Sequence, residues 1–193
     1  MSATITLPGF ADPVGDAQAT FRAALDAMAR PGTLHQAVAN LTPPAPLDRA
    51  TAAVLLALVD NETPLWIDQA ATDAGDWLAF HCGATIIERQ ADAEFALALA
   101  LPDLTAFSSG TDEAPESSVT MIVQLAALGH GARYRLTGPG LREPAMLAAS
   151  GLPANFPAIW QQNRALFPRG VDIVLCADTT LTALPRSVTI EEA

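Results

Sequence analysis

Ten arginines and no lysine supply the cationic side chains of this sequence. Three of the arginines stand beside proline in turn contexts: Arg30-Pro31-Gly32, Pro168-Arg169-Gly170 and Pro185-Arg186-Ser187. An arginine held on a rigid turn offers a planar fork of N–H donors that fits a phosphate bidentately; the same group beside a carboxylate forms an ordinary ion pair. With 21 acidic residues in the chain, both readings stand. A second polar cluster, Asp60-Asn61-Glu62, falls where an apolar helix passes into a strand, and reads either as the lip of a ligand crevice or as a capped turn. Gly138-Pro139-Gly140 could aim backbone N–H groups at an anion, although Pro139 has none to give; otherwise it is a structural turn.

The remaining reactive side chains are scattered. Ser108 and Ser109 precede Gly110 with no neighbouring base to activate a hydroxyl. His35, His81 and His130 lie on separate elements without metal-ligand spacing. Cys82 and Cys176 form no CxxC pair and read as free thiols of a reducing compartment. No GxSxG, no HExxH and no GxGxxG after a strand is present. The missing lysine excludes a Schiff-base amine, a lysine general base and the phosphate loop GxxxxGK[ST]. A net charge of −11 argues against non-specific binding to nucleic acid or anionic membranes, which requires a positive face. It leaves open a phosphorylated small molecule held by a few placed arginines.

The elements that must position these groups follow from patterning. At 193 residues the chain is expected to form a single domain spanning 1–193, long enough to bury a core without metal or disulfide staples. The opening MSATITLPGF lacks a basic segment followed by a long apolar one, so a cytoplasmic location is expected. A first helix is expected from an Asp16 N-cap, with Phe21, Leu25 and Met28 on one apolar face, stopped at Arg30-Pro31-Gly32. Thr33–Val38 reads as a short strand. Asp48 then caps a buried helix, Arg49–Val59, apolar all round. Strands follow at Leu65–Asp68, Ala84–Glu88 and Phe95–Leu99, with a short helix at Trp77–His81 between the first two. The polar stretch Pro102–Ser117 is a long loop of the kind that carries function. Val119–Leu128, Gly129-His130-Gly131 and Ala132–Thr137 read as an antiparallel hairpin ended by Gly138-Pro139-Gly140. Helices are expected around Glu143–Ala149 and across Pro157–Leu166. A buried strand at Val171–Cys176 comes next, with Leu181–Leu184 and Ser187–Ile190 closing the sheet. This interleaving gives an α/β fold with a mixed β-sheet and helices on both faces.

Several stretches, in order, resemble the PhnH family, the H subunit of the bacterial carbon–phosphorus lyase system. They are DAQATFRAALDAMARPGTL (Asp16–Leu34), DNETPLWID (Asp60–Asp68), FHCGA (Phe80–Ala84) and SSGTDEAPESSVTMIVQL (Ser108–Leu125). LTGPGL (Leu136–Leu141), NRALFPRGVDIVL (Asn163–Leu175) and LPRS (Leu184–Ser187) complete the set, with Ser187 standing where the family pattern has threonine. The resemblance implies a fold similar to the large domain of pyridoxal-phosphate-dependent transferases but without that cofactor. The absent lysine agrees, since no internal aldimine can form. It further implies a homodimer when isolated and work with G, I and J subunits, no cofactor or metal of its own, and no catalytic residues assigned to this subunit. The joint reaction displaces the adenine of ATP by a phosphonate to give a ribose 1-phosphonate 5-triphosphate. The alternative is a subunit that itself holds a nucleotide or phosphonate through Arg30, Arg169 and Arg186.

Overall fold

The computed structural model describes residues 6–37 and 40–193, so Val38, the last residue of the first expected strand, lies outside it. Helix α1 (Pro13–Ala29) starts one turn earlier than expected. Asp12, not Asp16, is the N-cap and accepts from Gly15 N–H at 3.2 Å, with Pro13 preset for the first helical position. Strand β1 is only His35–Gln36. Helix α2 (Arg49–Leu58) is buried from Ala50 through Leu55, as its all-round apolar sequence demands. Strand β2 (Pro64–Ile67), helix α3 (Gly75–Cys82), strand β3 (Thr85–Ile87) and strand β4 (Phe95–Ala98) fall where the pattern put them.

Strand β5 (Thr120–Gln124) forms no hairpin with the strand after it. It sits in the middle of a seven-stranded sheet, hydrogen-bonded in parallel to β4 on one side and to β8 (Asp172–Ala177) on the other. With both edges taken, nothing remains for the next segment to pair with. Strand β6 (Ala127–Thr137) therefore crosses into a second, three-stranded antiparallel sheet. The glycines at 129 and 131 serve there as an irregularity inside β6, between Leu128 and Ala132, and not as a hairpin turn. The helix expected around Glu143–Ala149 is strand β7 (Ala145–Ser150), paired to β6. Its Ala-Met-Leu-Ala-Ala run favours helix locally, and cross-strand pairing overrides the preference. Helix α4 (Phe156–Arg164) precedes β8. Strand β9 (Thr180–Leu184) pairs antiparallel with β8, whereas β10 (Thr189–Glu192) pairs with β6 and closes the small sheet, not the large one.

The large sheet runs β1-β9-β8-β5-β4-β2-β3, the last five strands parallel, and the small one β10-β6-β7. The architecture is thus α/β with a mixed sheet, but helices do not cover both faces alike. Ile122, Val174 and Cys176 point to one side, into a core shared with α1, α2 and α3. Met121, Val123, Ile173 and Leu175 point to the other, against Tyr134, Leu136 and Leu147 of the small sheet and Phe156 and Trp160 of α4. Apolar side chains on both faces explain why β5 and β8 read as continuous apolar runs.

Helix α1 meets this core through small residues, Thr20, Ala24 and Ala27. The large ones, Phe21 and Leu25, face outward at 48% and 57% exposure. In urea unfolding, Ala27→Leu should therefore cost about 1–3 kcal/mol by overpacking, while Leu25→Ala should change stability by less than about 0.5 kcal/mol. The reverse order would mean that α1 presents its other face to the core.

Candidate functional site

Residues 99–119 connect the carboxyl end of β4 to the amino end of β5 as a tied strap, not as a free loop. Two single turns of 3-10 helix, Leu104–Ala106 and Pro115–Ser117, punctuate it. Asp103 starts the first by accepting from Thr105 N–H at 3.0 Å and from the Thr105 hydroxyl at 2.7 Å, which holds its carboxyl below the usual range. Ser108 and Ser109 are structural in this setting. The Ser108 hydroxyl donates to Ser117 O at 3.2 Å, and Ser109 forms a β-bridge with Ser118. Gly110 takes φ +76°, where a side chain would meet the Pro115 carbonyl.

Two of the three turn arginines hold this strap. Arg186 lies where the chain crosses from β9 to β10. Its Nε and Nη2 engage both carboxylate oxygens of Asp172 at the amino end of β8, and its Nη1 donates to Pro115 O at 2.7 Å. Asp172 also accepts from Arg186 N–H at 2.7 Å, so this half-buried fork is spent on protein partners. Next to it, Gly170 N–H donates to Ser109 O at 2.8 Å, and Arg169 Nε pairs with Asp112 at 3.0 Å. The Arg169 turn is itself pinned by buried Asn163, which accepts from Val171 N–H and donates to Val171 O, both at 2.8 Å. Between the strap and α4 lies a cleft of about 590 Å³, walled by Leu104, Phe107, Ile159 and Leu166, with Asp103 its one charged lining residue. Sequence reasoning marked the strap as functional ground but gave no sign of this cleft. Its far wall is α4, distant in sequence and brought to the strap by Arg169, Arg186, the Gly170–Ser109 hydrogen bond and shared apolar packing.

The other expected positions lie elsewhere. Arg30, at the end of α1, pairs with Asp26 at 2.9 Å, both more than half exposed. Beside it Gly140 takes φ +85°, and a Cβ there would run into the Ala29 carbonyl, so Gly138-Pro139-Gly140 is a packing turn. Asp60, Asn61 and Glu62 stand at the amino end of β2, three strand spacings or roughly 14 Å from β8. Ligand crevices of open α/β sheets form at the carboxyl ends, where strand order reverses. In this sheet that point is between β2 and β4, where Asp68 accepts from Leu99 N–H at 3.3 Å and Ala70 N–H at 3.1 Å. The Asp60 carboxylate accepts from Glu62 N–H at 2.9 Å and from Thr63 N–H and Oγ1, both at 3.1 Å, and these bonds hold its carboxyl low. Of the thiols, Cys176 is buried under α2 and pushed up to about 12 by desolvation, while Cys82, half-buried, is raised for the same reason. His35 shares a hydrogen bond with Thr33 and His81 one with Leu7 O. Among the described residues no group of His, Cys, Asp and Glu is arranged to hold a metal, and no helix is long and apolar enough to cross a membrane.

These features define an α/β domain whose turn arginines fasten its own loops. The chain belongs to the PhnH family of bacterial phosphonate metabolism proteins, whose sequence model matches residues 8–191. It is 40% identical over 187 residues, 94% of either chain, to the alpha-D-ribose 1-methylphosphonate 5-triphosphate synthase subunit PhnH of Rhizobium meliloti (strain 1021). It is also 36% identical over 84 residues, 42% of either chain, to HtxG of Stutzerimonas stutzeri, whose name assigns it provisionally to C-P lyase subunits.

Arg186→Ala should lower stability by about 2–3 kcal/mol, because it strands Asp172 and frees Pro115 O. Limited proteolysis should then cut within residues 110–115, and Arg186→Lys should restore only part of the loss, an ammonium being unable to fork. An unchanged cleavage pattern would show that the strap does not depend on this arginine. For Asp60, a folded pKa below the unfolded one adds stability that is present above the unfolded value and lost as pH falls through the folded value. The window therefore lies below about pH 4. Asp60→Asn keeps an acceptor for the turn and should flatten that acid limb of a stability-against-pH curve.

Proposed function

We propose that this chain is an accessory, non-catalytic subunit of the assembly that forms ribose 1-methylphosphonate 5-triphosphate from ATP and a phosphonate. Its partners there are the G, I and J subunits, it dimerises when isolated, and it works in the cytoplasm. The observation that carries this reading is the 40% identity across 94% of both chains to a protein named as a subunit of that synthase. The geometry supports it: Arg30, Arg169 and Arg186 are each paired with a carboxylate of this chain, and the Asp60 carboxylate is used by its own turn. The layered α/β fold is in keeping with kinship to the large domain of pyridoxal-phosphate-dependent transferases, and the lack of any lysine leaves no amine for that cofactor's aldimine.

A second reading has one observation in its favour. Arg169 is paired with Asp112, a side chain 78% exposed on the strap, so an anionic nucleotide or phosphonate could take that carboxylate's place beside Arg186. Arg30 and the Asp60-Asn61-Glu62 turn would contribute at separate points of the surface.

An omission assay separates the two. With purified G, I and J subunits, ATP and methylphosphonate, the ribosyl product should form only when this chain is added, and this chain alone should form none. Turnover by the isolated chain would overturn the accessory reading. Calorimetric titration of the isolated chain with ATP and with methylphosphonate should be silent; a heat abolished by Arg169→Ala would establish the second reading instead.

A further inference from the structure

Where the strap runs into β5, a second and smaller pocket of about 290 Å³ is lined by Glu94, Phe95, Glu116, Ser117, Ser118 and Thr120. The sheet gathers these residues. Glu94 N–H donates to Pro64 O at 3.0 Å and Thr120 N–H donates to Glu94 O at 2.9 Å, so the amino ends of β2, β4 and β5 lie side by side. Glu116 reaches the same place on the 3-10 turn Pro115–Ser117, which Arg186 holds through Pro115 O. The charge there is unbalanced. Glu94 and Glu116 are exposed, and among the described residues neither is paired with a cation. The guanidiniums of the flanking turns, Arg89 and Arg186, are taken by Asp92 and Asp172. Ser118, only 6% exposed, carries a hydroxyl with no hydrogen-bond partner in the chain. A buried hydroxyl left in that state costs stability unless a group from outside meets it.

We infer that this pocket receives one basic side chain, an arginine or a lysine, projecting from a different subunit of the assembly. The two carboxylates accept from its charged head, the hydroxyls of Ser118 and Thr120 take its remaining N–H groups, and the Phe95 ring covers its apolar stem. Size favours a side chain over a free metabolite: sites that enclose whole small molecules run from roughly 300 to 1,000 Å³, and this one lies just below that range. Among the described residues no third carboxylate, imidazole or thiol joins the pair, as a protein-built cage for a divalent cation would need. The inference rests on the subunit reading for the source of the side chain and deepens it by naming one contact point.

The test has two arms on the full chain. In the first, calorimetric titration with butylguanidinium should give a heat that its neutral isostere, butylurea, does not. Glu94→Gln with Glu116→Gln should weaken that binding by about tenfold or more. Ser118→Ala should weaken it too while melting no lower than the wild type, which a merely structural hydroxyl would not do. In the second arm, affinity for the purified G, I and J subunits should fall by about tenfold in the double glutamine variant, and raising salt should weaken the wild type more than the variant. No heat from butylguanidinium, or a heat that butylurea matches, would overturn the inference. A probe heat that the glutamates control, with assembly indifferent to them, would overturn the partner side chain in favour of a free organic cation. The same heat in a wild-type chain that never joins the other subunits would overturn the subunit reading and leave the cation pocket standing.

Discussion

Everything else in this molecule is arranged around one constraint: β5 and β8 are apolar on both faces and hydrogen-bonded on both edges. Such strands need a layer above and a layer below, and they admit no further neighbour. On one side α1, α2 and α3 supply the layer. On the other the chain leaves β5, skips the occupied sheet and builds β6, β7 and β10 as a second sheet with α4 beside it. The return from that arrangement forces Pro185-Arg186-Ser187 to cross between the layers, and the crossing places Arg186 at the amino end of β8, on Asp172.

That placement decides what the charged residues can do. A guanidinium with a bidentate carboxylate and a backbone carbonyl already in its fork has little left for a ligand. Instead it sets the strap, and the strap with α4 shapes the cleft of about 590 Å³. An α/β sheet offers its usual ligand crevice at the carboxyl ends of its strands. Asp68 knits the switch point between β2 and β4 to local N–H groups, and Gln124 at the end of β5 is tied to Asp48 N–H at 2.7 Å and Pro46 O at 2.9 Å. Both side chains at these carboxyl ends are thus committed to bonds within the chain.

Much of the architecture was legible in the sequence, for identifiable reasons. Continuous apolar runs located β5 and β8, all-round apolarity located the buried α2, and Pro and Gly marked the end of α1. The hairpin between β5 and β6 was misread because a glycine pair inside a strand looks like a turn until the pairing partner is known; only the occupied edges of β5 rule it out. Strand β7 was misread because Ala-Met-Leu-Ala-Ala is helical by local preference, and a sheet neighbour outweighs that preference. Helix α1 shows the deepest limit. Its periodicity was visible in Phe21, Leu25 and Met28, but periodicity tells that a face is apolar and not whether the chain itself covers it. Likewise the turn arginines were visible as candidates, while their carboxylate partners, Asp112 and Asp172, are brought to them only by the strap and the layer crossing.

The central claim, that this domain serves as a surface within a larger assembly, is tested most directly by tagging the chain in cells grown on methylphosphonate as the sole phosphorus source. The captured material is then weighed intact by native mass spectrometry. The account expects one assembly of fixed stoichiometry that contains the other synthase subunits and an even number of copies of this chain. Recovery of this chain free of every other subunit, from cells that are consuming methylphosphonate, would contradict it.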